Sequence, residues 1–291
     1  MDVEESSYAL LRGQVPSLMK RLLKQLGASK VAPTTLQEGF HLLVTLLSVL
    51  PGCLTAQVPQ LFVSTQAVLA EPTAPSALLV TVLSFLSLFF RTHSANTFNA
   101  SLPALIPVLL TSLTEKHPRV IAGTFRVFSS LLTALKPVKP NDWADKVYYE
   151  AVGRLKANDT DAEVRDCAGE LIADLWICAP DVVKTKNGQE WQAMFKQTAR
   201  TEASVKVVKR VAVEAEMDTQ WINGCVEWVS NILKKSDRTG KVDAFVTLNN
   251  LITKYELHFI SSRCKTELFS GTNPECLQTL HRTSFLNYLR T

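Results

Sequence analysis

The chain has 291 residues, of which 46% are hydrophobic and 20% charged, with a formal net charge of +4. That length allows about two globular domains, but a stacked repeat array needs no domain boundary because each repeat contacts only its neighbours. The mild charge gives no sign of the concentrated basic stripe that a nucleic-acid-binding protein carries, so we expect no nucleic-acid partner.

A short proline-containing phrase recurs three times near the start of the chain. The phrases are Val15-Pro16-Ser17-Leu18, Val58-Pro59-Gln60-Leu61 and Leu102-Pro103-Ala104-Leu105, with their prolines 43 and then 44 residues apart. Each opens a leucine-rich stretch of helical period, as expected when proline lies in the first turn of a helix. A period of about 40–47 residues with two helices per unit is typical of HEAT and armadillo repeats. We therefore predict an all-α HEAT-repeat α-solenoid, with about six antiparallel helix pairs in a right-handed superhelix and no sheet.

The helix pairs follow one another along the chain. They are predicted at 15–26 and 33–50, 54–70 and 74–90, 102–113 and 118–135, 142–157 and 161–179, 188–199 and 203–216, and 219–235 and 241–256. The corresponding units are about 8–52, 53–97, 98–140, 141–182, 183–217 and 218–256, and together they form a single array over 1–256. The fifth unit is the weakest because its helices are shorter and more polar. Residues 257–291 break the pattern and are predicted to be a polar tail or a terminal capping helix.

The most apolar stretch of the sequence runs from Ala77 to Phe90. It is shorter than the roughly 20 residues that a membrane span needs, so a buried solenoid helix is the better interpretation. The first residues of the sequence are acidic, whereas a signal peptide begins with a positively charged region. The cysteines are scattered without a C-x-x-C pair and are expected to be reduced. We predict no membrane association.

The turn between the helices of the fourth unit is the most diagnostic heptapeptide of the sequence. Residues 159–165 read Asp-Thr-Asp-Ala-Glu-Val-Arg, which resembles the HEAT consensus D-x-D-x-x-V-R. In that family the arginine bonds the acids in a ladder between stacked repeats, a role suited to its planar guanidinium. We predict a structural ladder formed by Asp159, Asp161 and Arg165. The alternative is a ligand-binding pair made by Asp159 and Arg165.

The sequence contains no recognisable catalytic or metal-binding motif. None of its histidines stands with a Cys or a carboxylate at metal-ligand spacing, and neither G-x-S-x-G nor G-x-G-x-x-G is present. Thr239-Gly240-Lys241 lacks the upstream glycine of a phosphate-binding loop, because Lys235 stands there. We predict no enzymatic activity, no cofactor, no metal and no small-molecule substrate.

Surface recognition therefore remains as the expected function. The second helices of a solenoid line its concave side, an extended surface suited to binding another protein. We predict protein-binding roles for four charged residues on these helices, Arg126, Glu170, Lys209 and Lys254. The alternative is that these charges belong to ordinary solvated helix faces.

Four stretches of the chain resemble one family beyond generic HEAT repeats. Residues 10–26 (LLRGQVPSLMKRLLKQL), 46–61 (LLSVLPGCLTAQVPQL), 154–172 (RLKANDTDAEVRDCAGELI) and 240–256 (GKVDAFVTLNNLITKYE) look like the middle of the cullin-associated, neddylation-dissociated proteins. Their order and intervals match over roughly residues 8–256. The segment after Glu256 does not resemble the family.

The resemblance implies a non-enzymatic regulator of cullin–RING ubiquitin ligases. Such a protein binds a cullin that lacks its ubiquitin-like modifier and promotes exchange of the substrate-receptor modules. The expected partner is a cullin–RING complex, the expected location is the cytoplasm and nucleus, and the chain would be a segment of a longer solenoid. No family motif assigns contact residues to these positions. Other HEAT scaffolds, such as a karyopherin-like transport receptor or a phosphatase scaffold subunit, remain alternatives.

Overall fold

The structure is a computed structural model that describes residues 3–28, 31–139, 141–157, 159–184, 201–215 and 238–255, together with residues 222, 225, 226 and 229. It divides into two compact units, Met1–Val183 and Lys184–Thr291. Within the described residues every regular element is a helix.

Long helices alternate with short connections along the described chain. In chain order the helices are α1 (Val3–Leu26), α2 (Pro33–Val49), α3 (Val58–Leu69), α4 (Ser76–Thr92), α5 (Ala95–Phe98), α6 (Leu102–Ser112), α7 (Pro118–Leu135), α8 (Asp142–Lys156), α9 (Ala162–Cys178), α10 (Pro180–Lys184), α11 (Thr201–Glu214) and α12 (Arg238–Tyr255). The short helices α5 and α10 were not predicted from the sequence.

The first unit consists of two rows of stacked helices. The first helices of the successive pairs, α1, α3, α6 and α8, contact one another in that order, and so do the second helices, α2, α4, α7 and α9. Each pair is therefore stacked on the next through both of its helices. This arrangement confirms the predicted all-α solenoid, whereas the handedness and the total of about six pairs remain predictions.

A continuous apolar core runs between the two rows. The predicted buried helix is confirmed, because α4 places Leu78, Leu79, Val82, Leu83, Phe85, Leu86, Phe89 and Phe90 in the interior. Phe89 lies at the centre of an aromatic cluster, with ring centroids 5.2 Å from Phe62 and 6.2 Å from Phe98. Full burial of each such side chain contributes about 1.5–3 kcal/mol to folding stability, so α4 is a main contributor to the core of the first unit. In the described part of the chain no helix is long and apolar enough to cross a membrane.

The prolines of the recurring phrase do not all have the same position. Pro59 and Pro103 lie in the first turns of α3 and α6, as predicted, and a 3-10 turn precedes each of these helices. The prediction for Pro16 was wrong, because α1 begins at Val3 and contains Pro16 in its interior. An interior proline removes one backbone hydrogen bond but does not forbid a helix, so the rule gives only a tendency.

Close packing between α4 and α7 depends on a glycine. A methyl group built on Gly123 would lie 3.2 Å from Cδ1 and 3.3 Å from Cβ of Leu83. Leu83 is fully buried and its Cβ is fixed to the α4 backbone, so it has little room to move away. Gly123 thus allows the two second helices to approach closely.

In the second unit, α11 and α12 pack against each other. Their buried residues include Val207, Val208, Val211 and Ala212 on α11 and Ala244, Leu248, Leu251 and Ile252 on α12. Both helices were predicted, at 203–216 and 241–256. The predicted helix at 188–199, most of that at 219–235 and the segment 257–291 lie outside the described residues. The predicted unit boundaries stay predictions.

Candidate protein-binding surface

Polar and charged side chains form one stripe on each second helix of the first unit. We call these residues the second-helix face: Glu38, His41, Ser84, Ser87, Arg119, Arg126, Ser130, Glu163, Asp166 and Glu170. On each helix they recur at intervals of three, four or seven residues, which places them on one side. They lie on α2, α4, α7 and α9, which stack on one another in that order.

Hydrogen bonds connect α4 to α7 on this face. The hydroxyl oxygens of Ser87 and Ser130 lie 2.9 Å apart, and their positions differ by 43 residues, the length of one repeat. The Ser130 hydroxyl also donates to the carbonyl oxygen of Arg126, at 3.0 Å. These serines belong to no recognised motif, and the only signal in the sequence is their spacing of one repeat. They were therefore not predicted as part of a site.

An ion pair connects α7 to α9. Nη2 of Arg126 donates to Oε1 of Glu163 at 2.8 Å, and the two side chains are 53% and 42% exposed. Burial acts to lower the pKa of Arg126, but the hydrogen bond with Glu163 and the negative charge of that carboxylate help to raise it overall. The guanidinium is therefore charged and held in place. The predicted binding residue Arg126 thus has a structural partner within the chain.

Charge is unevenly distributed along the second-helix face. At the centre of α4 the exposed side chain is Ser84, which is uncharged. Helix α7 contributes the basic residues Arg119 and Arg126. Helix α9 contributes the acidic residues Glu163, Asp166 and Glu170. The face therefore changes from basic on α7 to acidic on α9. A protein surface that fits it would carry the opposite order of charges.

The predicted ladder residues lie at the start of α9. Asp161 is the N-cap of this helix, because its Oδ1 accepts from the backbone N–H groups of Glu163 at 2.9 Å and Val164 at 3.4 Å. Nη2 of Arg165 donates to the carbonyl oxygens of Thr160 at 3.2 Å and Ala157 at 3.4 Å. Arg165 thereby ties the loop before α9 to the helix. A bond from Arg165 to Asp159 or Asp161 stays a prediction.

The other predicted binding residues have different surroundings. Glu170 is exposed on α9, and Lys209 is half-buried on α11. Nζ of Lys254 donates to the carbonyl oxygen of Val213 at 3.2 Å and also to that of Ala215. These carbonyls lie at the C-terminal end of α11, where a cation stabilises unpaired acceptors. Binding roles for Arg126, Glu170, Lys209 and Lys254 remain predictions.

Four cysteines lie in the part of the chain that the structure describes. Cys53, Cys167, Cys178 and Cys225 are reduced thiols, and burial raises the pKa of Cys225 to about 12. Cys264 and Cys276 lie outside the described residues. Among the residues that the structure describes, no group of three His, Cys, Asp or Glu side chains could hold a metal ion.

A family model described as "CAND1-like, TPR repeats" matches residues 52–170. The matched range contains α3 to α8 and the first half of α9, and so includes the bonds of Ser87, Ser130, Arg126 and Glu163. Cullin-associated NEDD8-dissociated protein 1 of Drosophila melanogaster is 22% identical over 92% of this chain. Residues 52–170 thus match a repeat segment of the CAND type.

Two further relatives agree with this assignment. Cullin-associated NEDD8-dissociated protein 2 of Rattus norvegicus is 31% identical over 56% of this chain, and protein 1 of Arabidopsis thaliana is 26% identical over 87%. The chain spans only 22% of the Drosophila protein, 13% of the rat protein and 22% of the Arabidopsis protein.

Solved structures support the repeat fold of this chain. A designed armadillo repeat protein in complex with the peptide (KR)4 is similar over 79% of this chain and 98% of its own, with a TM-score of 0.58 and 11% identity. An engineered protein is similar over 81% of this chain and 96% of its own, with a TM-score of 0.57 and 17% identity. The family description names TPR repeats, whose unit is roughly 34 residues, whereas the spacing in this chain suits HEAT or armadillo units.

Proposed function

We propose that this chain is a non-enzymatic scaffold that binds a cullin–RING complex through the second-helix face and takes part in exchange of its substrate-receptor modules. The observation that carries the proposal is the match of the CAND1-like family model to residues 52–170, which contain most of that face. The names of the relatives supply the partner class, because each is a cullin-associated, NEDD8-dissociated protein.

The charge order of the second-helix face suggests how a partner would be oriented. Acidic groups of the partner would lie opposite Arg119 on α7, and basic groups opposite Asp166 and Glu170 on α9. Such charges act mainly on the association rate and its salt dependence, with about 1 kcal/mol or less from each exposed pair. The chain spans 22% of the Drosophila relative, so we expect weak binding with a dissociation constant of about 1 μM or above.

Titration of the full chain against a purified cullin–RING complex tests the proposal. Three arms are compared: the unmodified complex, the complex carrying the ubiquitin-like modifier, and a small GTPase of the kind that transport receptors bind. Saturable binding to the unmodified complex alone supports the proposal. Binding to the GTPase, or no binding to either cullin complex, contradicts it.

A charge reversal with a matched control tests the face. Asp166→Lys/Glu170→Lys changes two exposed acids of α9, and Glu115→Lys/Glu150→Lys makes the same net change outside the second-helix face. The first pair should lower the association rate about tenfold at low salt, and the control pair less than about threefold. Equal effects of the two pairs would place the contact elsewhere.

We also propose a cytoplasmic and nuclear location, which imaging of a fluorescent fusion tests.

A further inference from the structure

A groove of about 590 Å³ lies between the first helices of the first two repeats. It is separate from the second-helix face, because its walls come from α1 and α3. We call it the α1–α3 groove, and its lining residues are Lys20, Leu23, Lys24 and Gly27 on one side and Pro59, Gln60, Val63 and Ser64 on the other.

The floor of the α1–α3 groove is apolar and open. Val63 is 66% exposed, and Leu23 beside it is half-buried. Behind these residues the helices are anchored by Met19 on α1 and Phe62 on α3, whose side chains are buried. The groove is thus a preformed apolar surface on two anchored helices, which reduces the ordering cost of binding.

The edge of the groove on α1 is basic. Lys20 and Lys24 are exposed and one helical turn apart, so their side chains project from the same side of α1. None of the described residues that line the groove is acidic. Residues 6–37 contain five basic residues and no Asp or Glu, and α3 carries no charged residue. The local field therefore favours an anionic ligand.

We propose that the α1–α3 groove binds an acidic amphipathic helix of a partner protein. An apolar side chain of that helix packs on Val63 and Leu23. Two carboxylates one turn apart, at positions i and i+4, lie opposite Lys20 and Lys24, whose spacing they match. An apolar helix face in a hydrophobic groove is a common mode of peptide recognition, and the flanking charges set its orientation.

The apolar floor distinguishes a protein ligand from other polyanions. A nucleic-acid backbone would gain nothing from Val63 and would require more cations than Lys20 and Lys24 supply. A membrane contacts a protruding apolar face, whereas this surface is recessed between two helices. The proposal does not depend on the cullin contact, which we place on the second-helix face.

Fluorescence anisotropy with the full chain tests the proposal. The probe is a labelled helical peptide of about 18 residues, with leucines along one side and glutamates at i and i+4 beside them. The test variant is Lys20→Glu/Lys24→Glu. The matched control is Arg12→Glu/Arg21→Glu, which makes the same net charge change at exposed positions of α1 outside the groove lining. Val63→Ser tests the apolar floor at an exposed position, where folding is insensitive to the change.

The expected result is saturable binding that weakens at least about tenfold in the lysine variant, about threefold or more with Val63→Ser, and less than about threefold in the arginine control. Circular dichroism should show the same helix content for all variants. Absence of saturable binding, or equal losses in the lysine and arginine variants, would overturn the proposal. Equal displacement of the peptide by a DNA oligonucleotide or by phosphatidylserine vesicles would also overturn it, since either would show a general anion surface.

Discussion

Arg126 and Glu163 form an ion pair between neighbouring repeats, with Nη2 and Oε1 at a distance of 2.8 Å. The two residues lie on α7 and α9, and 37 positions separate them in the sequence. The pair therefore joins two stacked second helices on the face that we propose to bind a partner. A residue of this kind can be structural in the free protein and still contact a partner at its exposed edge.

The Arg126–Glu163 pair should contribute little to stability. Both side chains are about half exposed, so water and salt screen their attraction, and a double-mutant cycle of Arg126→Ala and Glu163→Ala should give a coupling of about 0.2–1 kcal/mol. Urea unfolding at low and high salt measures it, with a smaller coupling at high salt. A coupling above about 2 kcal/mol would show that the pair is a main determinant of repeat stacking.

Two glycine-to-alanine changes should act in opposite directions. Gly123→Ala places a methyl group 3.3 Å from the fixed Cβ of Leu83, and we expect a loss of about 1 kcal/mol or more. Gly153 is in α8 with open space around it, so Gly153→Ala should stabilise the chain by about 0.5–1 kcal/mol through helix propensity. Chemical denaturation compares the two. Equal stabilisation by both changes would show that α4 and α7 are not closely packed at Gly123.

His93 should make stability depend on pH. The backbone N–H of Leu54 donates to its Nε2 at 3.3 Å, and its ring stacks on Phe89 with centroids 4.0 Å apart. Burial lowers the pKa of His93 from 6.5, although the hydrogen bond with the Phe89 carbonyl acts to raise it. A protonated Nε2 cannot accept the Leu54 hydrogen bond.

The sign of this pH effect follows from linkage. The unfolded chain binds the His93 proton more readily than the folded chain, so the stability due to neutral His93 is complete above about pH 6.5. It decreases as the pH falls through 6.5 towards the lower folded pKa. His93→Leu should flatten the loss of stability between about pH 7 and pH 5, and the same change at exposed His41 is the control. If the free energy of unfolding of the His93 variant falls with decreasing pH as steeply as that of the unchanged chain, His93 is not the cause.

Lys254 should contribute to the stability of the second unit. It donates to the carbonyl oxygens of Val213 and Ala215 at the end of α11, so Lys254→Met should cost about 1 kcal/mol. Lys241→Met, a change of the same kind on α12, is the control. Thermal unfolding monitored by circular dichroism measures both. A Lys254 variant as stable as its control would leave this lysine available solely for a binding role.

A double-mutant cycle tests the Asp161–Arg165 pair of the predicted ladder. Arg165→Ala should cost about 1–3 kcal/mol because it releases the carbonyls of Thr160 and Ala157, and Asp161→Ala should cost about 1 kcal/mol because it removes the N-cap of α9. If the two residues act separately, their effects in urea unfolding add. A coupling above about 1 kcal/mol would establish a direct Arg165–Asp161 interaction.

The positions of the helices followed from local sequence. Apolar periodicity and turn residues placed α2, α4, α7, α8 and α9 within about two residues of their observed ends. Pro59 and Pro103 marked helix starts correctly. Pro16 did not, since the preference of proline for a first turn is a statistical one, and α1 continues upstream of it.

The partners of the polar side chains were decided only by the tertiary structure. Arg126 meets Glu163, His93 meets Leu54 and Lys254 meets Ala215 across 37 to 39 positions of the sequence. The repeat length predicted that residues about one unit apart lie in neighbouring helices. It did not predict which side chains meet, because a helix rotated by one residue turns a side chain through about 100° and so changes its neighbour. That rotation is set by core contacts such as Gly123 against Leu83, which form only when the helices pack.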